Sequence, residues 1–203
     1  MKSLLYLTLF LFVLFCFGCG PDGGPSLPGE PFATDTVEEE ESDELAALLA
    51  NFEREVWQKP KMVISRMGDL SDKTVADIGA GYGYFTFRLA QEAEKVIAID
   101  VDSIALEVIT EEKKKLDRDI QKRIETRLCP PNDPNLTPNE ADLSIFVNTF
   151  IYIADRVDYL KRLKEGVAPG GQVLIIDFKK KNLPFGPPAE LKLALSQVEQ
   201  ELS

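Results

Sequence analysis

The amino-acid sequence predicts an α/β fold organised around a doubly wound, mostly parallel sheet. Five short apolar runs alternate with three longer amphipathic segments, which is the pattern of strands joined by crossover helices. Several of the runs are continuous in β-branched residues, as expected for strands that are buried on both faces. Once the two ends of the chain are set aside, roughly 150 residues remain, which suits a single domain with a sizeable core.

The first 19 residues predict an export signal. The segment "MKSLLYLTLFLFVLFCFGCG" has one lysine, then an apolar run, then small residues around a cysteine, and it is too short for a comfortable membrane span. Its "CFGC" stretch resembles a bacterial lipobox, so we expect Cys19 to carry a lipid anchor. The protein would then be exported and held at a membrane, on the periplasmic or cell-surface side. An uncleaved anchor and a secreted soluble form are the alternatives.

Residues 20–44 predict a disordered linker, because a segment rich in Pro, Gly, Asp and Glu cannot bury enough apolar surface to fold. The folded domain is therefore expected to cover residues 45–203. It should begin with a helix, since apolar residues recur from Leu45 to Val56 at helical spacing. We expect this segment to cover the ligand site, with Trp57 as a core or lid aromatic.

The alternating pattern then sets the order of the remaining elements. We predict strands at Thr74–Ile78, Val96–Asp100, Ile124–Leu128, Leu143–Asn148 and Val173–Phe178. We predict helices at Gly83–Glu94, Ser103–Leu116 and Asp155–Val167, with a last helix inside residues 190–203. Ligands of such sheets bind outside the carboxyl ends of the strands, so the loops that follow each strand form the candidate site.

Composition excludes several classes of site. The formal net charge of −11 is concentrated partly in "DTVEEEESDE", and an acidic chain disfavours nucleic acid as a partner. There is no histidine, and Cys129 is the only cysteine beyond the first 19 residues. A zinc site of ordinary type and a histidine-activated nucleophile are therefore not expected, and no metal is predicted. We expect Cys129 to be a small, inert residue at a strand end.

The stretch "VADIGAGYGYFTFRLA" reads as a buried strand, a glycine-rich turn and an amphipathic helix. Glycines at alternate positions, Gly79, Gly81 and Gly83, allow the backbone to turn tightly and to lie against a ligand. The dinucleotide fingerprint G-x-G-x-x-G fits poorly, because its third glycine would fall on Tyr84. Asp77 precedes the loop, where it either holds the loop or contacts a cationic ligand.

Asp100 ends the second predicted strand and should lie on the same rim as the glycine loop. A carboxylate there can accept hydrogen bonds from both hydroxyls of a ribose. The alternative is a helix N-cap, a role that Asp102 or Ser103 would serve better. Asn148 and Asp177, at the ends of the fourth and fifth strands, complete this rim.

These motifs resemble those of the class I S-adenosylmethionine-dependent methyltransferases, and the resemblance runs from about Glu53 to Gln200. "VADIGAGYGYFTFRLA" is similar to the family's first motif, "VIAIDVD" to its acidic second-strand motif, "ADLSIFVNTFIYI" to its fourth strand and "GVAPGGQVLIIDF" to its fifth. The resemblance implies a Rossmann-like fold, with S-adenosylmethionine as the cofactor. "WQKP", "DPNL" and "IIDFKKKNLPFGPP" resemble a branch of bacterial methyltransferase-domain proteins that often carry export signals.

The resemblance also implies roles for individual residues. The glycine loop would line the methionine and ribose, Asp100 would hold the ribose, and Val101 and Asp102 would flank the adenine. Asn148 and Thr149 would face the methyl group, and Asp133 is a candidate for the acidic residue after the third strand. The implied cofactor set is Asp77, Gly79, Ala80, Gly81, Gly83, Asp100, Val101, Asp102, Asp133 and Asn148. The candidate catalytic residues are Asn148, Tyr152 and Asp177. If the acceptor must lose a proton, Tyr152, Asp155 or Asp177 could act as the general base.

Two departures from the family pattern affect these expectations. The sequence reads Phe150-Ile151-Tyr152-Ile153 where the related branch has histidines, so chemistry that depends on them is lost. The chain also ends without the expected hairpin of a sixth and a seventh strand, as a truncated form or a fragment would. The fifth strand should then be an exposed edge, open to self-association or to a protein partner.

Three functions follow as hypotheses. The first is methyl transfer to a small molecule or an envelope component. The second is a non-catalytic binding module, in which a degenerate methyltransferase fold serves as a scaffold. The third is an NAD-dependent oxidoreductase, which the missing third glycine disfavours.

Overall fold

The computed structural model describes residues 54–202. The predicted export signal, the predicted linker and most of the helix predicted to begin at Leu45 lie outside these residues. Residues 54–58, where the described chain begins, are helical. Within the described range, no helix is both long enough and apolar enough to cross a membrane.

From Pro60 to Glu201, five strands and six α-helices follow one another in a nearly regular alternation. The strands are β1 (Thr74–Ile78), β2 (Lys95–Asp100), β3 (Ile124–Leu128), β4 (Ala141–Val147) and β5 (Val167–Ile176). The helices are α1 (Pro60–Arg66), α2 (Thr86–Glu92), α3 (Ser103–Glu112), α4 (Arg118–Arg123), α5 (Arg156–Gly166) and α6 (Leu195–Glu201). Short 3-10 turns cover Lys113–Lys115 and Phe150–Tyr152.

The strands form one sheet in the order β3-β2-β1-β4-β5, and every pairing is parallel. The order reverses between β1 and β4, which makes the sheet doubly wound, as predicted. In such a sheet the crevice outside the carboxyl ends, at the reversal, is where ligands bind. Here the reversal lies beside the glycine loop, because that loop follows β1.

The three central strands of the sheet, β2, β1 and β4, are buried on both faces. Val75, Val96 and Ala98 pack in one apolar cluster with α1 to α4, whereas Ala76 and Ile97 pack in a second cluster with α5. Successive side chains of a strand point to opposite faces, so a strand that is covered on both sides must be apolar at every position. Burial on both faces is therefore the reason why these strands are continuous apolar runs in the sequence.

The structure corrects some predicted boundaries. Helix α4 was not predicted, because it is short and has no buried residue. Strand β5 begins at Val167, earlier than predicted, because the chain pairs with β4 on both sides of an irregular register near "PGG". The last helix is confined to α6. Among residues 54–202, no strand follows β5, which pairs only with β4.

A carboxylate–guanidinium pair fixes the connection between β3 and β4. Arg127, on β3, donates from both Nη atoms to the two carboxylate oxygens of Glu140, each at 2.7 Å. Both side chains are only 16% exposed. The bonds from Arg127 are the main cause that lowers the pKa of Glu140 to about 2. Paired charges that are largely withdrawn from water are costly to separate.

We therefore expect Glu140→Gln to lower the free energy of unfolding by about 2 kcal/mol at neutral pH. The matched control is Glu111→Gln, which removes an exposed carboxylate paired with Lys114 and should change stability by less than about 0.5 kcal/mol. Urea unfolding of both variants measures the difference. Because the folded pKa of Glu140 is depressed, its contribution should be present above its ordinary pKa of 4.5 and lost as the pH falls towards 2. Equal effects of the two substitutions would contradict this assignment.

Candidate cofactor site

The glycine loop is held against the end of β2. The backbone amides of Gly79 and Ala80 both donate to the carbonyl of Ile99, at 2.8 and 3.1 Å. The φ angles of Gly79, Gly81 and Gly83 are +72°, +52° and +83°, in the region that favours glycine. The loop therefore depends on glycine at all three positions.

The space beside the glycines differs from one to the next. A Cβ atom on Gly79 would lie 2.3 Å from the side chain of Thr149, so this glycine permits close packing against the end of β4. A Cβ on Gly81 would meet no atom within 4 Å. The backbone at Gly81 is thus open to a ligand, which is what the cradle of a cofactor requires.

Asp100 faces this cradle. Its Oδ2 accepts from the Gly81 amide at 2.7 Å, and its Oδ1 accepts from the Asp102 amide at 3.0 Å. Asp102 itself caps α3, because its Oδ1 accepts from the amide of Ile104 at 2.9 Å. The helix cap and the carboxylate at the loop are therefore two different residues. Each oxygen of Asp100 retains a lone pair for a further donor, such as a hydroxyl.

Exposed apolar side chains surround Asp100 on this rim. Val101 follows it directly, Leu128 is its partner on β3, and Ile104 lies in the first turn of α3. Together with Tyr82 of the glycine loop they are 54–66% exposed. An apolar surface next to a ribose-binding carboxylate suits a planar base. Of these four residues, only Val101 was predicted from the sequence.

Asp77 lies beneath the glycine loop and is only 2% exposed. Its Oδ2 accepts from the Thr86 hydroxyl at 2.7 Å, which ties the end of β1 to the start of α2. Burial is the main cause that raises the pKa of Asp77 to about 6; the nearby charge of Asp100 contributes to this shift, and the hydrogen bond from Thr86 opposes it. The structure thus favours the loop-holding role for Asp77. In that role its carboxyl group still lies close to the cradle.

Asn148 and Thr149 connect the ends of β4, β5 and the glycine loop. The Asn148 amide donates to the carbonyl of Ile176 at 2.8 Å, and Asn148 has a φ of +55°. The Thr149 hydroxyl contacts the carbonyl of Gly79 at 3.4 Å. The backbone strain at Asn148 belongs to this junction, and such strain is concentrated at functional sites.

A cavity of about 250 Å³ opens next to Asn148 and Asp177. Its wall includes Trp57, whose ring lies 5.5 Å from that of Phe178 and 5.8 Å from that of Phe185. Trp57 comes from the helical segment at the start of the described chain, so this segment does cover the carboxyl edge of the sheet. Two larger cavities, of about 420 and 640 Å³, lie near Leu70 and Gly170, at the amino ends of β1 and β5.

The predicted catalytic candidates have different surroundings. Asp177 is half-buried: its Oδ1 accepts from the Phe178 amide at 2.8 Å, and its buried Oδ2 has no hydrogen-bond partner among the described residues. Burial raises the pKa of Asp177, and the hydrogen bond from the Phe178 amide partly offsets that effect. Tyr152 is 67% exposed. Asp177 thus lies in the wall of the cavity, whereas Tyr152 lies at the surface.

Asp133 has partners of its own. Its Oδ1 accepts from the Asn135 amide at 2.8 Å, and its Oδ2 pairs with Arg162 on α5 at 3.3 Å. This gives Asp133 a part in holding the loop after β3. Cys129, in the same loop, is buried, and burial raises the pKa of its thiol to about 11. Among residues 54–202, no group of three or more Cys, Asp or Glu side chains could hold a metal ion.

Sequence reasoning missed the side chains that the N-terminal helical segment brings to the loop. The Arg54 guanidinium lies 3.9 Å from the centroid of the Tyr84 ring, and its Nε donates to the buried Gln58 at 3.3 Å. Nothing in the local pattern around Arg54 marks it, because its position depends on how this helix packs against α2.

Comparison with known proteins agrees with this geometry. The family described as "Methyltransferase domain" matches residues 69–202, which is more than half of the chain. The chain belongs to the methyltransferase-domain family. The resemblance found in the sequence motifs is thereby confirmed, and the dinucleotide-binding alternative has no support.

Individual relatives agree with this family. Demethylmenaquinone methyltransferase of Lactococcus lactis is 29% identical over 70% of this chain and 56% of its own length. The crystal structure of a SAM-dependent methyltransferase from Aquifex aeolicus is 29% identical, with a TM-score of 0.65, over 70% of this chain and 76% of that one. The [4+2]-cyclase SpnF has a TM-score of 0.61 over 71% of this chain and 55% of its own, but at 16% identity it shows the fold alone.

This chain thus spans about half the length of the curated relative from Lactococcus lactis. The fold class is confirmed, and S-adenosylmethionine is supported as the cofactor of this methyltransferase domain. The names of the relatives differ in what the proteins act on, so family membership leaves the methyl acceptor of this domain undecided.

The buried carboxyl of Asp77 predicts how the stability of this methyltransferase domain depends on pH. Its folded pKa of about 6 lies above its ordinary value of 3.8, so the protonated form favours folding. Relative to Asp77→Asn, the wild type should be most stable below the ordinary value and should lose about 3 kcal/mol as the pH rises towards 6. Urea unfolding of both proteins across this range measures the difference. A constant difference would show that Asp77 does not titrate in this way.

Proposed function

We propose that this chain is an S-adenosylmethionine-dependent methyltransferase whose cofactor lies along the carboxyl edge of the sheet, between the glycine loop and Asp100. The observation that carries this proposal is the 2.7 Å hydrogen bond between the Gly81 amide and Asp100 Oδ2. It brings the open backbone of the loop and the ribose-binding carboxylate together at one point.

The residues present fit this cofactor. Gly81 leaves room for a ligand against the backbone, Asp100 has free lone pairs for the ribose hydroxyls, and exposed apolar side chains flank the position of the adenine. Asp77 and Asp100 place two carboxyl groups near a ligand that carries a positive sulfur. When bound, the cofactor supplies a methyl group that is already activated for transfer. The protein then has mainly to position the acceptor.

The cavity at Trp57 is the proposed position of the acceptor. Trp57, Phe178 and Phe185 supply an aromatic wall, and Asn148 and Asp177 supply the polar groups. A mostly apolar pocket with a few polar groups is typical of small-molecule sites. We infer that the acceptor is a small molecule, or a small part of an envelope component, with an aromatic or apolar body. The carboxylate of Asp177, which lies in the cavity wall, would accept a hydrogen bond, and where needed a proton, from the hydroxyl or amine of the acceptor.

A second candidate is a binding module without catalysis. The stretch after β4 reads Phe150, Ile151 and the exposed Tyr152, so it has no histidine that could act as a base. The likeness to the [4+2]-cyclase SpnF also shows that this fold occurs in a protein that is not named as a methyltransferase. In this reading, the glycine loop and Asp100 would still bind a nucleoside, and the domain would act as a sensor or scaffold.

The proposed location is a membrane surface outside the cytoplasm. It rests on the composition of residues 1–19, with Cys19 as the lipid attachment point, and on the linker-like residues 20–44. A second proposal is that a protein partner, or a second copy of this chain, covers the edge of β5, since unpaired strand edges favour association. Both proposals concern the setting of the enzyme and are independent of its chemistry.

Titration calorimetry of the full-length chain with S-adenosylhomocysteine tests the cofactor site. We expect saturable binding by the wild type, and a loss of at least about tenfold in Asp100→Ala, because two charge-assisted hydrogen bonds to the ribose disappear. Glu107→Gln removes an equal charge from the exposed face of α3 and should leave binding unchanged. A folded wild type that does not bind S-adenosylhomocysteine would overturn the proposal.

Trp57 is the only tryptophan, so its fluorescence reports directly on the acceptor cavity. With S-adenosylhomocysteine bound, we expect 4-methylphenol to change the emission saturably and to bind roughly tenfold more tightly than 4-methylanisole, which lacks the hydroxyl donor. Asp177→Asn should reduce this preference, because it removes the negative charge that the hydroxyl faces. If the two ligands bind equally to the wild type, Asp177 does not select the acceptor.

A further inference from the structure

Two arginines lie on the ring of Tyr84, the residue that follows the glycine loop. The Cζ atom of Arg54 is 3.9 Å from the ring centroid and that of Arg88 is 3.8 Å from it. Two guanidinium groups cannot both lie over the centre of one face, so they occupy opposite faces of the ring. A planar cation gains energy on an aromatic face, and the contact also fixes its orientation.

The two arginines differ in their other partners. Arg88 donates from Nη1 to the carbonyl of Tyr84 at 2.8 Å and from Nη2 to Glu55 at 3.4 Å. Arg54 donates only from Nε, to Gln58 at 3.3 Å. Among residues 54–202, the two Nη atoms of Arg54 have no hydrogen-bond acceptor and no carboxylate in salt-bridge contact.

Arg54 is also half-buried, and this burial is the main cause that lowers its pKa. Withdrawing a guanidinium from water costs free energy when no anion contacts it. Its fork of N–H donors matches the geometry of a carboxylate. The free side of Arg54 therefore has the properties of a binding group for an anion.

Arg54 lies beside the end of the glycine loop, because its guanidinium stacks on the ring of Tyr84, the residue that follows Gly83. Asp77 lies beneath the same loop, where its Oδ2 accepts from the Thr86 hydroxyl at 2.7 Å. Asp77 is buried and bonded to Thr86, and is no salt-bridge partner for Arg54. A cofactor whose adenosine is held at Asp100 and which lies along the loop carries its own carboxylate on the methionine part.

We infer that Arg54 binds the methionine carboxylate of the cofactor through its two Nη groups, with the ring of Tyr84 holding the guanidinium in place. This inference rests on the proposed function. It adds a specificity-determining residue from the helical segment that also supplies Trp57 to the acceptor cavity. The cofactor would thereby link this segment to the glycine loop.

The test compares two ligands that differ only in the carboxylate: S-adenosylhomocysteine and its decarboxylated analogue, S-adenosyl-3-thiopropylamine. Calorimetry should show that Arg54→Met weakens binding of S-adenosylhomocysteine roughly 10- to 100-fold, while binding of the analogue changes by less than about threefold. Arg88→Met removes the guanidinium from the opposite face of the same ring. It should leave the ratio of the two affinities as in the wild type.

The outcomes separate three possibilities. If Arg54→Met weakens both ligands equally, Arg54 only clamps the helix onto Tyr84 and the inference is wrong. If Arg88→Met changes the ratio as much as Arg54→Met does, the effect is a general one of charge and the inference is again wrong. If the folded wild type binds neither ligand, the proposed function itself fails. Thermal unfolding of each variant in the same buffer shows whether the protein is folded.

Discussion

The parallel direction of all five strands is the constraint on which the rest of this site depends. It brings five strand ends to one edge, and backbone hydrogen bonds then join neighbouring ends. Gly79 and Ala80 bond to Ile99, Cys129 bonds to Asp100, and Asn148 bonds to Ile176. Residues that are far apart in the chain thus meet with little freedom to move. A site of this kind needs no metal or disulfide to hold it, because the sheet itself supplies the rigidity.

Charge is distributed along this edge in a way that suits one ligand. Asp100 and the buried Asp77 make the cradle acidic. Burial chiefly, and the charge of Asp100 in addition, disfavour the ionised form of Asp77 and raise its pKa, which is a cost in the free protein. A ligand with a positive sulfur would reduce the cost. Arg54 lies at the periphery, where a ligand carboxylate would end. The same ligand therefore offers a cation to the acidic part and an anion to the basic part.

The acceptor cavity is formed mainly by apolar packing rather than by charge. The rings of Trp57, Phe178 and Phe185 contact one another and form an apolar wall. The carboxylate of Asp177 is the one acidic group in the lining, so it would orient a bound acceptor. Trp57 comes from the first helical segment and Phe185 from the segment after β5, so the cavity exists only when both segments pack together. Fold and family leave this part of the molecule undetermined, which is why related proteins can act on different substrates.

The sequence by itself determined the sheet, the glycine loop and the position of Asp100. These features are local: a strand buried on both faces is apolar throughout, a tight turn needs glycine, and a residue at the end of a parallel strand must lie on the ligand edge. Only the tertiary structure decided which side chains join that edge from elsewhere. The position of Arg54 depends on the packing of the first helical segment against Tyr84, and the cavity at Trp57 depends on the packing of the same segment against the chain after β5. Asp133 is engaged by Arg162 of α5. Such contacts arise between segments that have no periodic relation in the chain, so no local pattern predicts them.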